Sequence, residues 1–406
     1  MKYEKIFILI TTLCYGIYIF SYPPSFYNDD SLFLTRGIEH FSVIDFSPHF
    51  PGYPALIIMG KFINLFLHDA KMSLFILSAS CAILTPAVVF LLVENILNKK
   101  AAIISFVLTL SSPYLLNLSL TMLSDSIGLF FFFVGLYFFQ INKDKTSGII
   151  FSIALFSRPA YLILFIVGFI YLMFYKKNSI KNIFIFFMIG MIFFLSFIYI
   201  NEGLLYLIEA KRFLLGHFTL WGTGQNSNAT WFSNIFIFSN MLYILLILCF
   251  FNYNKNLKLY YSFFIVYLFW IIFAQNPDNL RHLIPLIFIA NILLSSVINK
   301  HTVLFTFCFL ILNIHSHLGY SNTLSPIENI IKDIKDKNRV IITNRGIEIL
   351  RKYQENPVID KYYTNSTTFY THYNKTITIT TSKPKNKKHK IYNGRFIGDH
   401  TYYLYK

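Results

Sequence analysis

Apolar runs long enough to cross a lipid bilayer recur along most of this 406-residue chain, and they restrict its fold more than any other feature. A membrane-spanning helix needs about 20 mostly apolar residues. Hydrophobic residues make up 55% of the chain and charged residues 13%, whereas a soluble domain has about 25% charged residues. The sequence therefore predicts an all-α polytopic membrane protein and excludes an ordinary soluble domain.

The pattern predicts about eleven membrane-spanning helices. They cover residues 6–22, 72–93, 101–118, 126–139, 148–156, 160–175, 183–200, 235–251, 259–274, 283–298 and 302–318. The first run has features of a signal peptide, but no small-residue cleavage site follows it, so we predict an uncleaved first span. The fifth and sixth runs flank Arg158-Pro159, and we keep them apart because merging them would break the alternation of basic connectors.

Basic connectors give the predicted orientation, because Lys and Arg concentrate in cytoplasmic loops. These connectors alternate along the chain so that all of them lie on one side, which we predict to be the cytoplasm. The N-terminus is then in the cytoplasm and the C-terminus outside. The basic residues of these connectors are Lys2, Lys5, Lys99, Lys100, Lys143, Lys145, Lys176, Lys177, Lys181, Lys255, Lys258 and Lys300. The same bias explains much of the net charge of +16. We therefore expect membrane lipids, and no nucleic acid, among the partners.

The composition changes near residue 320, where spanning apolar runs end. We predict a membrane domain over 1–320, with a first outer loop at 22–71, and a small extracytoplasmic α/β domain over 321–406. In the loop we expect helices at 31–40 and 53–67. In the C-terminal domain we expect helices at 327–336 and 346–354 and strands at 339–343, 376–381 and 391–396. The basic run 383–390 is predicted to be a solvated hairpin tip or a contact to anionic lipid or glycan.

Charged and polar side chains converge on the predicted outer face. Such groups at a bilayer edge are costly unless they are paired or hydrated, so they often mark functional sites. The candidates are Asp29, Asp30, Arg36, His49, Tyr53, Asp125, Arg158, Lys211, Arg212, Arg281 and His282. Structural alternatives exist for most of them. They are helix caps for the three acids, snorkelling for Arg158, an interfacial amphipathic helix at 204–215 for Lys211 and Arg212, a simple turn for Arg281 and His282, and an interface position for His49.

Outward acids beside Arg and Lys suit glycosyl transfer from a lipid-linked sugar phosphate. A carboxylate accepts the proton of the acceptor hydroxyl, and cations stabilise the phosphate that leaves. A divalent metal ion held by Asp29 or Asp30 is a further way to bind that phosphate. The catalytic candidates are therefore Asp29 and Asp30, and the remaining candidates are predicted to bind substrate.

Five short pieces occur in a recognisable order. They are Asp29-Asp30 with Arg36-Gly37, Phe50-Pro51-Gly52-Tyr53-Pro54, Ser124-Asp125, Ser157-Arg158-Pro159, and Arg281-His282-Leu283-Ile284-Pro285. In this order they resemble the GT-C glycosyltransferases, in the branch that contains protein O-mannosyltransferases and the bacterial enzyme that transfers aminoarabinose to lipid A.

The resemblance implies a polyprenyl-phosphate sugar donor, inversion at the anomeric carbon, a non-cytoplasmic active site and a catalytic or metal-positioning acid at Asp29 or Asp30. Pro51-Gly52-Tyr53-Pro54 replaces a Lys-Pro-Pro-Leu-like motif of the aminoarabinose transferase, which leaves the donor sugar open. The C-terminal domain shows no β-trefoil repeat, so we expect a lipid- or glycan-linked acceptor. The alternatives are a transporter or flippase of a lipid-linked sugar, and an oligosaccharide polymerase or ligase.

Overall fold

The computed structural model describes residues 2–220, 230–235, 238–298, 303–304, 307, 310–311, 313, 323–335, 339–361, 375–385 and 387–406. These residues form a mostly helical membrane domain followed by a small mixed domain. The predicted boundary near residue 320 lies outside the described residues, as do most of the predicted eleventh span and part of the loop that precedes the eighth.

Most helices of the membrane domain follow the predicted apolar runs, whereas the predicted eighth span has a 3-10 helix at Phe238–Leu245 and an α-helix only at Leu246–Phe251. In chain order they are α1 (Lys2–Phe20), α2 (Asp29–Glu39), α3 (Pro54–Leu67), α4 (Ala70–Ile96), α5 (Lys99–Leu110), α6 (Pro113–Leu120), α7 (Ser124–Gln140), α8 (Asp144–Ser157), α9 (Leu162–Tyr175), α10 (Lys177–Glu202), α11 (Leu205–Leu220), α12 (Trp231–Ile235), α13 (Leu246–Phe251), α14 (Lys258–Ala274) and α15 (Ile284–Leu294).

Four of the described helices are long and apolar enough to cross a membrane, and the number rises to six if each of two bent helix pairs counts as one span. Further apolar helices in the described part are shorter, at Pro54–Leu67, Ser124–Gln140, Leu242–Phe251 and Leu280–Leu294. The predicted count of about eleven spans therefore stays a prediction.

The third predicted span differs from a straight helix. It is split into α5 and α6, whose axes differ by 60°. Pro113 opens α6, and Ser112 before it has an extended backbone. This geometry follows from proline, which lacks an N–H and disfavours helical backbone at the preceding residue. The same rule acts at Pro159, where α8 ends at Ser157 and the chain turns by 119° into α9.

Glycines allow close contact between α8 and α10. A Cβ atom placed on Gly148 would collide with the backbone oxygen of Ile183, and one on Gly190 would collide with the side chain of Ser152. Small residues of this kind let membrane helices approach closely, so that dispersion contacts hold them together in lipid. This packing fixes α8, which ends at Arg158.

The C-terminal domain contains α16 (Pro326–Asp333), β1 (Val340–Thr343), α17 (Ile347–Tyr353), β2 (Val358–Asp360), β3 (Thr376–Thr380), β4 (Lys390–Tyr392) and β5 (Tyr402–Tyr405). Its sheet has the order β2-β1-β3-β5-β4. Strand β1 runs parallel to β2 and β3, and β5 runs antiparallel to β3 and β4. The sequence predicts both helices and three of these strands. It misses β2 and β5, because strands of three and four residues are too short to show a clear hydrophobic pattern.

The C-terminal domain packs on the first loop through a shared apolar core. Ile327, Ile341 and Leu350 belong to the same cluster of buried side chains as Phe26 and Leu32 of the membrane domain. Polar contacts reinforce this interface, because the carboxylate of Glu328 accepts hydrogen bonds from the Phe26 amide at 2.7 Å and from Lys71 at 2.8 Å. The loop and the C-terminal domain therefore form one packed unit.

Substituting Ala for Gly148 is expected to destabilise the membrane domain by about 1–3 kcal/mol, because the added methyl group meets a backbone oxygen that cannot rotate away. Thermal unfolding of the purified protein in detergent measures this effect. The matched control is Gly216→Ala in α11, where no described atom lies within 4 Å of the new methyl group. Equal unfolding temperatures for the two variants would contradict the packing described for α8 and α10.

Candidate functional site

The first turn of α2 carries two adjacent acids that are free to bind other groups, because a neighbouring residue caps the helix. The Asn28 side chain accepts the N–H of Ser31 at 3.3 Å, and the Ser31 hydroxyl accepts the N–H of Asn28 in return. This is a capping box, in which both partners are satisfied locally. Capping therefore does not account for Asp29 and Asp30.

The two acids point to different domains. Asp29 Oδ1 accepts the backbone N–H groups of Glu348 and Ile349, both at 3.1 Å, at the start of α17. Asp30 Oδ2 accepts a hydrogen bond from Arg281 Nη2 at 3.3 Å. Successive side chains on a helix diverge by about 100°, which explains why neighbours in sequence have separate partners.

Four side chains of alternating charge form a charge chain, in the order Asp30, Arg281, Asp125 and Arg158. Arg281 Nη1 lies 3.9 Å from Asp125 Oδ2, and Arg158 Nη2 lies 3.0 Å from Asp125 Oδ1. The side chains of Asp125, Arg158 and Arg281 are 3%, 8% and 13% exposed, so these charges depend on one another for compensation. The charge chain joins the starts of α2 and α7, the end of α8 and the turn before α15.

Close packing between α7 and α8 places Arg158 next to Asp125. A Cβ atom on Gly128 would collide with the Cβ atom of Arg158, so the glycine makes room for the arginine stem. Arg158 also donates to the hydroxyl of Ser124 at 3.2 Å, and the Tyr161 hydroxyl donates to the backbone oxygen of Asp125 at 3.4 Å. The ends of the two helices thus hold a well-defined ion pair.

The charge chain leaves hydrogen-bonding capacity unused. Nε and Nη1 of Arg281, Nε of Arg158 and Oδ2 of Asp125 are buried and have no hydrogen-bond partner among the described residues. Buried polar atoms are normally satisfied, and an arginine presents its donors in a planar fork that matches phosphate oxygens. The arrangement can therefore accept an additional anionic group at Arg281.

His49 and Tyr53 flank Asp30 from the proline-rich loop. The Tyr53 hydroxyl and His49 Nε2 are 3.0 Å apart. Burial raises the pKa of Asp30, but the charges of His49, Arg281 and Arg158 outweigh it, so the pKa of Asp30 lies below its usual value. Asp30 is therefore an ionised carboxylate at neutral pH.

Three predicted binding residues lie outside this cluster. Arg36 contacts Glu348 of the C-terminal domain at 3.4 Å. Arg212 pairs with Glu209 on α11 at 2.8 Å, and Lys211 beside it is exposed. Lys211 and Arg212 thus lie on α11 and Arg36 on the face of α2 that contacts the C-terminal domain. Asp30, His49, Tyr53, Asp125, Arg158 and Arg281 do converge, and His282 follows Arg281 in the same short turn.

The C-terminal domain adds residues that sequence reasoning missed. The backbone oxygen of Gly398 accepts a hydrogen bond from the Tyr27 hydroxyl at 3.1 Å, and that of Ile397 accepts one from the Asn117 amide at 3.0 Å. A Cβ atom on Gly398 would lie 3.2 Å from Leu280, the neighbour of Arg281. Asn117, a polar residue within an apolar run, is the single sequence signal for this contact.

The described residues offer few side-chain ligands for the predicted metal ion. The described residues contain no group of three or more His, Cys, Asp or Glu side chains that could hold a metal ion. Asp30 Oδ2 is shared by Arg281 and Asn28, and Asp29 Oδ1 accepts two backbone N–H groups. Hard cations such as Ca²⁺ and Mg²⁺ need about six or more oxygen ligands. The residues present do not fit such an ion, and the metal stays a prediction.

Comparisons with known proteins place the chain among membrane glycosyltransferase folds. Residues 51–200 match the family model described as dolichyl-phosphate-mannose-protein mannosyltransferase. The structure is similar to apo ArnT from Cupriavidus metallidurans, with a TM-score of 0.58, 9% identity, and coverage of 100% of this chain and 98% of ArnT. For the apo oligosaccharyltransferase from Archaeoglobus fulgidus the TM-score is 0.47 and the identity 13%, with coverage of 77% and 53%. No curated protein matches the sequence.

The family match and the ArnT-like fold confirm the predicted resemblance to GT-C superfamily glycosyltransferases. Together with the apolar helices they also confirm an integral membrane protein. The segment that matches the family contains Tyr53, Asp125 and Arg158, whereas Asp30 and Arg281 lie outside it. The charge chain thus extends beyond the matched segment on both sides.

Asp29 is expected to dock α17 on α2, so Asp29→Ala should weaken that contact by about 1–3 kcal/mol by leaving two N–H groups unpaired. Burial raises the pKa of Asp29 to about 6, above its unfolded value, so docking weakens as the pH rises from about 4 through 6. Asp29→Asn keeps an acceptor oxygen and should remove this pH dependence. Hydrogen-exchange protection of the Glu348 and Ile349 amides measures both effects; unchanged protection in Asp29→Ala would contradict them.

Proposed function

We propose that this protein is an integral membrane glycosyltransferase that moves a sugar from a polyprenyl-phosphate donor to a lipid- or glycan-linked acceptor. The buried chain of Asp30, Arg281, Asp125 and Arg158 carries the proposal, because it combines an ionised carboxylate with arginine donors that lack partners. The description of the matched family, which names a mannose linked to a lipid phosphate, supports this class of donor.

Arg281 is the proposed binding residue for the donor phosphate. Its contacts to Asp30 and Asp125, at 3.3 and 3.9 Å, are longer than the 3.0 Å contact between Arg158 and Asp125. Charge-assisted hydrogen bonds between guanidinium and phosphate are usually about 2.7–2.9 Å long. A phosphate can therefore gain short contacts from Arg281 while the tighter pair of Arg158 and Asp125 keeps the site in place.

Asp30 is the proposed general base. It accepts the proton of the acceptor hydroxyl while the oxygen bonds to the anomeric carbon of the sugar. The bond from that carbon to the phosphate oxygen breaks, and the polyprenyl phosphate leaves with the electron pair toward Arg281. Attack opposite the leaving group inverts the anomeric carbon.

Donor binding is expected to activate this base. In the resting site the charge of Arg281 helps to lower the pKa of Asp30. A phosphate bound to Arg281 offsets that charge, so the pKa of Asp30 rises and the carboxylate becomes a better proton acceptor. Asp30 therefore becomes the stronger proton acceptor only after the donor has bound.

Enzyme function is favoured over transport by where the ionisable groups lie. Helices α4, α7, α10 and α14 carry their described charged residues near their ends, as Asp125 does on α7. A transport pathway would need such groups near the middle of the spans. The charge chain instead sits at one end of the helices, where a lipid headgroup meets water.

The site is proposed to face outward, with the N-terminus in the cytoplasm and the C-terminal domain on the other side. Helix α7 begins with the site residue Asp125 and ends beside Lys143, and α8 returns from there to Arg158. Seventeen residues of helix span about 25 Å, which separates the basic connector from the charge chain by most of a bilayer. Cytoplasmic lysines therefore imply an outward site.

Asp30→Asn is expected to lower the rate of sugar transfer by about a hundredfold or more, because the amide cannot accept the proton. Asp29→Asn is the matched control, since it changes the adjacent acid in the same way and should retain activity within a few-fold. The measurement is sugar transfer from a polyprenyl-phosphate donor by full-length protein in membranes. Full activity of Asp30→Asn, or loss of activity only in Asp29→Asn, would exclude Asp30 as the base.

Cysteine labelling tests the proposed orientation. In a cysteine-free background, Lys211→Cys and Lys385→Cys should react with a membrane-impermeant maleimide in intact cells, because both positions are exposed and predicted to be outside. Lys143→Cys, which is also exposed, should react only after the membrane is opened. If Lys143→Cys reacts together with Lys211→Cys in intact cells, the proposed orientation is wrong.

A further inference from the structure

Arg345 lies in the turn between β1 and α17 and is the residue that carries a further inference. Its backbone is held in place, because its N–H donates to the Thr343 hydroxyl at 3.2 Å and its carbonyl oxygen accepts from the same hydroxyl at 2.7 Å. Its half-buried guanidinium forms no ion pair and no hydrogen bond with any other described residue. A fixed backbone thus presents an uncompensated cation.

The turn that carries Arg345 lies beside the candidate site. Three residues later, the amide of Glu348 is bound to Asp29, which adjoins Asp30. On the other side of this region the ring of His400 stacks on Tyr27, with centroids 6.3 Å apart. Burial, together with the charges of Arg345 and Arg281, lowers the pKa of His400 to about 3. Arg345 and Arg281 therefore both lie near the pair of Tyr27 and His400.

The acids around this point already have partners. Asp29 accepts two backbone N–H groups, and Asp30 is bound to Arg281. Asp399 accepts the N–H groups of Arg395 and His400 and lies 3.9 Å from the Arg395 guanidinium. Arg345 is thus the remaining cation near Tyr27 without a counter-ion in the described part of the chain. Arginine in such a position suits recognition of a carboxylate or phosphate.

We propose that Arg345 is a substrate-binding residue of the site and holds an anionic group, a phosphate or a carboxylate, on the acceptor. The inference rests on the proposed function. Arg281 and Arg158 of the membrane domain serve the donor phosphate, whereas Arg345 belongs to the C-terminal domain, whose helix α17 is bound to Asp29 next to Asp30. The acceptor hydroxyl must reach Asp30, so a cation on this side meets the acceptor.

Binding to the purified full-length protein in detergent tests this assignment without turnover. The probes are glucose 6-phosphate, as an anionic sugar, glucose, as its neutral counterpart, and undecaprenyl phosphate, as a donor-type lipid phosphate. Arg345→Gln should weaken binding of glucose 6-phosphate about tenfold, the loss of one charge-assisted hydrogen bond, and change binding of undecaprenyl phosphate less than twofold. Arg281→Gln should weaken binding of undecaprenyl phosphate.

Lys332→Gln is the matched control, because it removes one exposed positive charge from the same domain, on α16 and outside the basic run 383–390. It should leave all three affinities unchanged. If Arg345→Gln weakens undecaprenyl phosphate instead, Arg345 serves the donor and the proposal falls; it also falls if wild-type protein binds glucose 6-phosphate no better than glucose. Unimpaired transfer by Asp30→Asn would refute the proposed base while leaving the binding result for Arg345 intact, so the two failures are distinguishable.

Discussion

Arg281 lies between two carboxylates and makes one long hydrogen bond, to Asp30, and the geometry of the site depends on this position. Its nitrogens are 3.3 Å from Asp30 and 3.9 Å from Asp125. A guanidinium that is mostly removed from water requires compensating charge, so the helix ends that carry these acids must meet at the turn before α15. Compensation at these distances still leaves Nε and Nη1 without hydrogen-bond partners among the residues that the structure describes. The charges of the resting charge chain thus balance, while donors of Arg281 remain available for one more hydrogen-bond acceptor.

The two arginines differ in how firmly their side chains are held, so that Arg158 maintains the shape of the site and Arg281 is the proposed binding residue for the phosphate. Arg158 is fixed by Asp125 at 3.0 Å, by Ser124 and by the space that Gly128 leaves for its stem. Arg281 has no comparable restraint on its donors. A site in which both arginines were tightly paired would offer a phosphate little, and one in which both were loose would lose its shape, because unpaired buried charges are costly. One rigid pair and one exchangeable pair meet both requirements.

The sequence predicts which residues belong to the charge chain but not which of them contact one another. Asp30, Asp125, Arg158 and Arg281 are visible because charges are rare in an apolar chain and because lysine connectors assign them to one side. The same reasoning groups Arg36, Lys211 and Arg212 with them, since it gives the side of the membrane and no distance within it. It also cannot separate Asp29 from Asp30, because the partners of Asp29 lie 319 and 320 residues away. The predicted third span is bent for a local reason that its hydropathy does not reveal, namely the helix break at Pro113.

The adjacency of Asp29 and Asp30 couples the two domains mechanically. One acid holds the first residues of α17, and the other holds Arg281, while both extend from the same capped turn of α2. The contacts of Asp29 to α17 and of Asp30 to Arg281 therefore depend on one short segment of backbone. The loop at Gly398, bound to Tyr27 just before this turn, acts on the same backbone. The C-terminal domain is thus linked through backbone contacts to the carboxylate of Asp30, the proposed base, even though none of its described side chains enters the charge chain.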